Sequence, residues 1–98
     1  MSKLIPEIGL DLAPRSKEAK DIIGFKWAED GIGQRSKLGG NPNWIQESSV
    51  PLCTCGKEMT FYGQMDSIGD QVCLADCGMI FVFVCFDCFE TKSILQIS

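Results

Sequence analysis

Six cysteines hold most of the reactive chemistry in this 98-residue chain: Cys53, Cys55, Cys73, Cys77, Cys85 and Cys88. Two fall in a C-x-C-G step, Cys53-Thr54-Cys55-Gly56, and two in a C-x-x-C step, Cys85-Phe86-Asp87-Cys88. Short spacings of this kind let two thiolates from one turn approach a single cation, and a pair of such turns completes a tetrahedral shell. There is no histidine. Ser-His-Asp and Cys-His nucleophilic sites are therefore excluded, as are Cys2His2 metal sites. Two chemistries remain for the sulfurs: a tetrathiolate metal centre or a redox dithiol.

The segments flanking the cysteines decide how they meet. Met59 to Met65 alternates, with Met59, Phe61 and Met65 expected on one face and Thr60, Tyr62 and Gln64 on the other. Met79 to Val84 is almost wholly β-branched or aromatic and apolar at every position, which predicts a strand covered on both faces. Paired as an antiparallel hairpin, the two strands bring Cys53 and Cys55 to the same open end as Cys85 and Cys88. This is a zinc-ribbon-like layout with those four residues as metal ligands, and Zn2+ suits it because thiolates bind the ion at about 2.3 Å without further geometric demand. A structural site of this type is worth on the order of 10 kcal/mol, comparable to the net stability of a small domain. Cys73 and Cys77 belong to the connection at the far end, roughly 20 Å away at about 3.3 Å per strand residue, and are expected as small buried hydrophobes. A connection that folds back would instead offer Cys73, Cys77, Cys85 and Cys88 as the quartet. Phe89 stands where an iron–thiolate knuckle favours glycine, which weighs against iron.

The remaining sequence supplies support. Residues 1–15, with Pro6, Gly9 and Pro14, read as an extended arm; Ser16 to Phe25 reads as a short helix with Ser16 as N-cap and Gly24 ending it, or Ile22, Ile23, Phe25 and Trp27 as the start of a strand. The expected division is an arm or short helix over residues 1–23 and a ribbon-like domain over residues 24–98. Gly31, Gly33, Gly39, Gly40, Pro42 and Asn43 mark a loop. It lacks the glycine spacing of a dinucleotide or phosphate loop, so its expected task is to dock Trp44 and Ile45 on the domain. Phe89 to Ile97 reads as a last strand or a single helical turn, with strand the preferred reading. The fold class is thus a small β-rich domain built on an antiparallel hairpin.

Charge narrows the function classes. The net charge is −4, and it falls in the cysteine-bearing half, where residues 53–98 hold two basic and six acidic side chains. Four thiolates on a divalent ion would add two negative charges. That surface repels a phosphate backbone, which disfavours nucleic-acid binding. A single-strand binder using Trp27, Trp44 and Tyr62 is the residual form of that idea. Asp66, Asp70, Asp76 and Asp87 fall where solvated loop residues belong, so no acid–base pair is expected and the protein is read as a non-enzyme. The apolar run from Met79 to Phe86 is far shorter than the ~20 residues that span a bilayer. The start of the chain, with Lys3, Pro6 and Glu7, does not match a secretion signal, and a cytoplasmic location is expected. Cytosolic cysteine clusters more often hold metal than disulfides. The alternative is a thiol/disulfide redox protein using Cys85 and Cys88, which would need a helix opening after Cys88.

Several stretches resemble the bacterial YwqG-like family of unknown function. They are Lys37-Leu38-Gly39-Gly40-Asn41-Pro42-Asn43-Trp44-Ile45-Gln46, Pro51-Leu52-Cys53 through Gly56, Met59-Thr60-Phe61, Gln64-Met65-Asp66-Ser67, and Phe81-Val82-Phe83-Val84-Cys85-Phe86-Asp87-Cys88. The order is consistent over about residues 24–98. A fainter similarity through Leu38-Gly39-Gly40, Pro42, Trp44 and the cysteine pairs points to programmed-cell-death-protein-2-like proteins, which are associated with escorting a ribosomal protein. The resemblance implies a metal-bearing fold with Cys53, Cys55, Cys85 and Cys88 as ligands, Gly39, Gly40, Pro42 and Trp44 as a docked loop, and an interaction role with an unnamed protein partner.

Overall fold

The computed structural model describes residues 4–26, 31–75 and 77–97. Trp27, Asp76 and the first three residues, which entered the expectations above, lie outside them. The chain forms one antiparallel sheet in the order β1 (Ile8–Gly9), β2 (Lys37–Leu38), β3 (Thr60–Asp66), β4 (Met79–Val84) and β5 (Thr91–Gln96). A six-residue helix, α1 (Lys17–Ile22), begins after Ser16, whose hydroxyl accepts the Ala19 N–H at 3.0 Å. The β-rich fold class and the last strand expected from sequence are both present.

Strand β4 forms because its six residues are all β-branched, aromatic or unbranched apolar, and it pairs along its whole length with β3 and β5. Met79, Phe81 and Phe83 point to one face and are fully buried, with Met59, Phe61, Cys53 and Cys85 around them. The second face differs from expectation: Ile80, Val82 and Val84 are only half-buried. Coverage on the first face comes from the loop after β2, where Trp44 lies 4.9 Å from the Phe81 ring and 6.0 Å from the Phe83 ring. The docking expected of Trp44 and Ile45 is what the fold shows.

Strand β3 departs from simple alternation. The register with β4 shifts between Phe61 and Gly63, so Tyr62 is an extra residue. Before the bulge Phe61 faces the core. After it the phase is inverted, and Gln64 and Asp66 face the core while Met65 is half-exposed on the other side. The period-2 assignment of Met65 to the core face and Gln64 to the opposite face is therefore corrected by one inserted residue. Gln64 is satisfied by the loop it meets: it donates to Arg35 O at 2.7 Å and Asn43 Oδ1 at 2.9 Å, and accepts the Asn43 N–H at 3.1 Å. Gln96 does the same further on, accepting the Ile45 and Gln46 N–H groups at 2.9 Å each and donating to Glu47 O at 2.8 Å.

The register sorts the strand side chains into two sets. On the core-facing side, Lys37 lies opposite Gln64, Asp66 opposite Met79, and Lys92 opposite Phe83. On the other side one row runs Ile8, Leu38, Gly63, Val82 and Ser93. The rows beside it are Met65, Ile80 and Leu95, and Thr60, Val84 and Thr91. Two residues of the N-terminal arm, Ile8 and Gly9, form the edge strand. The arm crosses Gly39 and Gly40, both at positive φ, with the Gly40 N–H donating to Ile5 O at 2.8 Å. A Cβ on Gly39 would strike the carbonyl oxygens of Ile5 and Pro6, so only glycine permits this approach.

Candidate metal centre

Two short loops meet at the end of the sheet where β3 begins and β4 ends. The first precedes β3 and is closed by a bridge between Leu52 and Glu58. In it the Cys53 N–H donates to Lys57 O at 2.8 Å, and the Gly56 N–H donates to Cys53 O at 2.9 Å. The second is the turn from β4 into β5. There the Cys85 N–H donates to Glu90 O at 2.9 Å, and the Phe89 N–H donates to Cys85 O at 2.8 Å. The loops are the same knuckle at two lengths. In each, the first cysteine closes the loop through its N–H, and the residue after the second cysteine returns a bond to the first cysteine's carbonyl. Gly56 and Phe89 hold that place at φ 90° and 62°. The residue missing from the C-x-C step is thus absorbed inside the loop, and the backbone still turns back on the sulfurs. Phe89 adopts the left-handed conformation that glycine usually supplies, so its side chain is no barrier to a knuckle and says nothing against iron.

The sulfurs of Cys53, Cys55, Cys85 and Cys88 all lie within 4.8 Å of one another. Across the arms, Cys53 and Cys88 are 3.0 Å apart and Cys55 and Cys85 3.7 Å. Four thiolates on one ion at about 2.3 Å stand about 3.8 Å from each other in a regular tetrahedron, so the observed cluster fits a metal ion after small side-chain adjustments. Cys53 and Cys85 are buried against the core, while Cys55 and Cys88 face outward.

Polar contacts bind the two knuckles to each other. The Thr54 hydroxyl donates to Glu90 Oε1 at 2.8 Å, and Lys57 pairs with Asp87 at 3.0 Å. Lys92 donates to Leu52 O at 2.8 Å. The thiols titrate unequally. Backbone N–H groups of Cys88 and then Asp87 directed at the Cys85 sulfur lower its pKa to about 7. Cys88, hydrogen-bonded to the Cys53 sulfur, is pushed up to about 12. The Lys57 N–H draws Cys55 down, but the neighbouring sulfurs and burial outweigh it and leave that thiol raised. Such N–H groups around sulfur are ready partners for thiolates bound to a cation.

Cys73 and Cys77 do not join this group. They are half-buried, not the fully buried small hydrophobes expected, and their setting is polar: the Cys77 N–H donates to the Cys73 sulfur at 3.3 Å. The connection does not fold back to form the alternative quartet. Asp66 is a second correction, since it ends β3 and is buried instead of sitting in a solvated loop. Its Oδ2 accepts the Gly33 N–H at 2.7 Å and the Arg35 N–H at 2.9 Å, and Arg35 Nη2 reaches Oδ1 at 2.6 Å. Asp87 and Asp70 are exposed, the former paired with Lys57 and the latter accepting the Lys26 N–H at 3.3 Å. Trp44 packs on the Phe81 and Phe83 rings of the core. The polar ring of Thr54, Glu90, Lys57 and Asp87 was not singled out from sequence, although each residue lies within two positions of one of the four clustered cysteines.

Among the described residues, no helix is long and apolar enough to cross a membrane. No family model and no solved structure matches the chain. It is 34% identical over 64 residues to the Uncharacterized protein YpfL of Salmonella typhimurium (strain LT2), a match covering 62% of this chain and 15% of that protein. The chain therefore spans a small part of the relative it matches, and the relative's name assigns no activity.

Proposed function

We propose that Cys53, Cys55, Cys85 and Cys88 hold a structural zinc ion, and that the protein is a non-catalytic, cytoplasmic binding module that engages another protein. The observation that carries the metal reading is the convergence of four sulfurs within 4.8 Å from two knuckles on different strands. An all-thiolate donor set without histidine suits zinc, and a closed shell of four protein ligands leaves no position for water or substrate, as structural sites require. The same chemistry accommodates iron, and the metal's identity is what the test must read. The redox alternative is less well supported. Strand β5 follows Cys88 where a redox dithiol would open a helix, and Cys88 and Cys85 each contact a sulfur of the other knuckle, at 3.0 and 3.7 Å. Kinship with the YwqG-like family is retained as part of the proposal, on the motifs quoted above.

Elemental analysis of protein purified without added metal tests this reading. One equivalent of zinc per chain is expected. Co2+ loading should give the intense sulfur-to-metal absorption of a tetrathiolate site, lost in Cys85→Ser and Cys55→Ser. Protein that is folded, fully reduced and metal-free, and that takes up neither Zn2+ nor Co2+, would overturn it.

A further inference from the structure

The connection from β3 to β4 holds Cys73 and Cys77, the two cysteines that the metal centre leaves unused. A buried hydroxyl fixes their turn. Ser67 Oγ accepts the Leu74 N–H at 3.0 Å and donates to Gly78 O at 2.7 Å, and the Gly78 N–H donates to Leu74 O at 2.8 Å. Cys73 and Cys77 each stand one residue before an end of that closed turn, and the Cys77 N–H points at the Cys73 sulfur at 3.3 Å. A cysteine sulfur stays within about 4 Å of its own backbone nitrogen, so both sulfurs border the same N–H and side-chain rotation sets their separation.

Both thiols are half-buried, so neither is sealed in the core. Arg35 stands beside the second. Its Nη2 donates to Cys77 O at 3.1 Å, and the Asp66 carboxylate first and the Cys77 sulfur last hold the guanidinium above its ordinary value against burial. Partly exposed thiols next to a cation are the reactive kind, whereas fully buried ones are inert. Cys77 also keeps φ 54° where glycine is ordinary, a conformation that its surroundings must impose.

We infer that Cys73 and Cys77 form a reversible modification site, which a low-molecular-weight disulfide converts to an intramolecular disulfide. Cys77, as thiolate, attacks one sulfur of the small disulfide. A bond forms between them, the small S–S bond breaks, and one small thiolate leaves and takes up the proton that Cys77 gave up. Cys73, as thiolate, then attacks the Cys77 sulfur of the mixed disulfide, and the second small thiol leaves with the proton of Cys73. The two cysteines lose two electrons and the small disulfide gains them. Excess small thiol runs both steps backward. The site goes beyond the metal-binding reading and does not depend on it.

Equilibration of the native full chain in glutathione buffers of rising oxidised fraction, quenched in acid, tests the inference. Cyanogen bromide cleavage after Met65 and Met79 then isolates residues 66–79, which hold Cys73, Cys77 and no other cysteine. That fragment should lose about 2 Da, the two hydrogens of a closing disulfide, and regain them in excess reduced glutathione. Near-ultraviolet dichroism of the intact chain should stay native throughout. In urea-unfolded chain, closure should need a ratio of oxidised glutathione to the square of reduced glutathione at least about tenfold higher, because nothing then holds the turn. Cys73→Ser should stop at a single glutathione adduct on Cys77. A native chain whose pair stays reduced in fully oxidised glutathione, or closes only with loss of dichroism or no more readily than in urea, would overturn the inference. So would a fragment that carries two glutathiones instead of closing, or a bond from either residue to one of the other four cysteines. Metal content read on the same samples keeps the two readings apart. Closure in folded chain that takes up no metal would sink only the zinc site, and an open pair in zinc-loaded chain would sink only the disulfide.

Discussion

The two ends of the β3–β4 hairpin solve one problem with different chemistry. At both, irregular chain must be fastened to a sheet too small to hold it by apolar burial alone. At the end where β3 begins, four sulfurs from two knuckles converge. At the other end, Asp66 alone gathers the Gly33 and Arg35 N–H groups and the Arg35 guanidinium, and Arg35 reaches on to Cys77 O at 3.1 Å. The carboxylate carries its own partners in the chain, so its fastening is complete once folded. On the proposed reading the sulfurs, which repel one another as thiolates, are fully fastened only with a cation among them. One end should therefore answer to metal and the other to acid.

The largest expected effect follows from taking the metal away. Chelation of the zinc-loaded protein, or Cys85→Ser, should cost at least about 5 kcal/mol. Hydrogen exchange should locate the loss in residues 53–58 and 85–90 first. The comparison breaks if chelation loosens the Asp66 end as readily as the knuckles.

Next in size is Asp66→Asn. It leaves Arg35 without its counter-charge in a half-buried site, and breaking a buried pair of this kind costs about 3–5 kcal/mol by urea unfolding. Metal content should not change. The acid limb follows from the same residue. Burial pushes the Asp66 carboxyl up, but the Arg35 guanidinium and N–H and the Gly33 N–H together outweigh it and hold the carboxyl below its ordinary value. A carboxyl depressed in the folded state stabilises the protein above its unfolded pKa of about 4, and that contribution is lost as pH falls through the folded value. The stability of Asp66→Asn should accordingly be flatter in acid than that of the native chain.

What the sequence disclosed divides along the same line. The β-rich class, the β3–β4 hairpin and the convergence of Cys53, Cys55, Cys85 and Cys88 were legible because cysteine spacing and apolar runs are local signals. The roles of Gln64, Met65 and Asp66 were not. One extra residue at Tyr62 inverts the phase of everything after it, and nothing in Thr60-Phe61-Tyr62-Gly63 announces a bulge except its glycine. The inverted phase makes Asp66 a buried clamp instead of a loop residue and exposes Met65. The second face of β4 was misjudged for a related reason: an all-apolar strand reads as covered on both sides, whether the cover lies within the chain or outside it.

A smaller effect separates the arm from both ends. Gly39→Ala places a Cβ against the Ile5 and Pro6 carbonyls at a positive φ, and should cost about 1–3 kcal/mol while releasing β1 from β2. Limited proteolysis should then cut near Pro6 to Leu12, with the metal retained. A variant whose arm stays protected would mean that the Lys37 to Glu7 ion pair at 2.7 Å holds it without the close backbone approach.

The smallest effect is the most discriminating for the two ends. Cys73→Ser should change stability by no more than about 0.5 kcal/mol, since a hydroxyl can accept the Cys77 N–H as the sulfur does and the site is half-buried. Zinc stoichiometry and the cobalt spectrum should be those of the native chain. If all six cysteines shared one shell, or exchanged within it, this variant would lower metal affinity as Cys85→Ser does. Equal affinity in Cys73→Ser and a collapse in Cys85→Ser would place the whole of the metal dependence at one end of the hairpin, where the two knuckles face each other, and none at the end that Asp66 already closes.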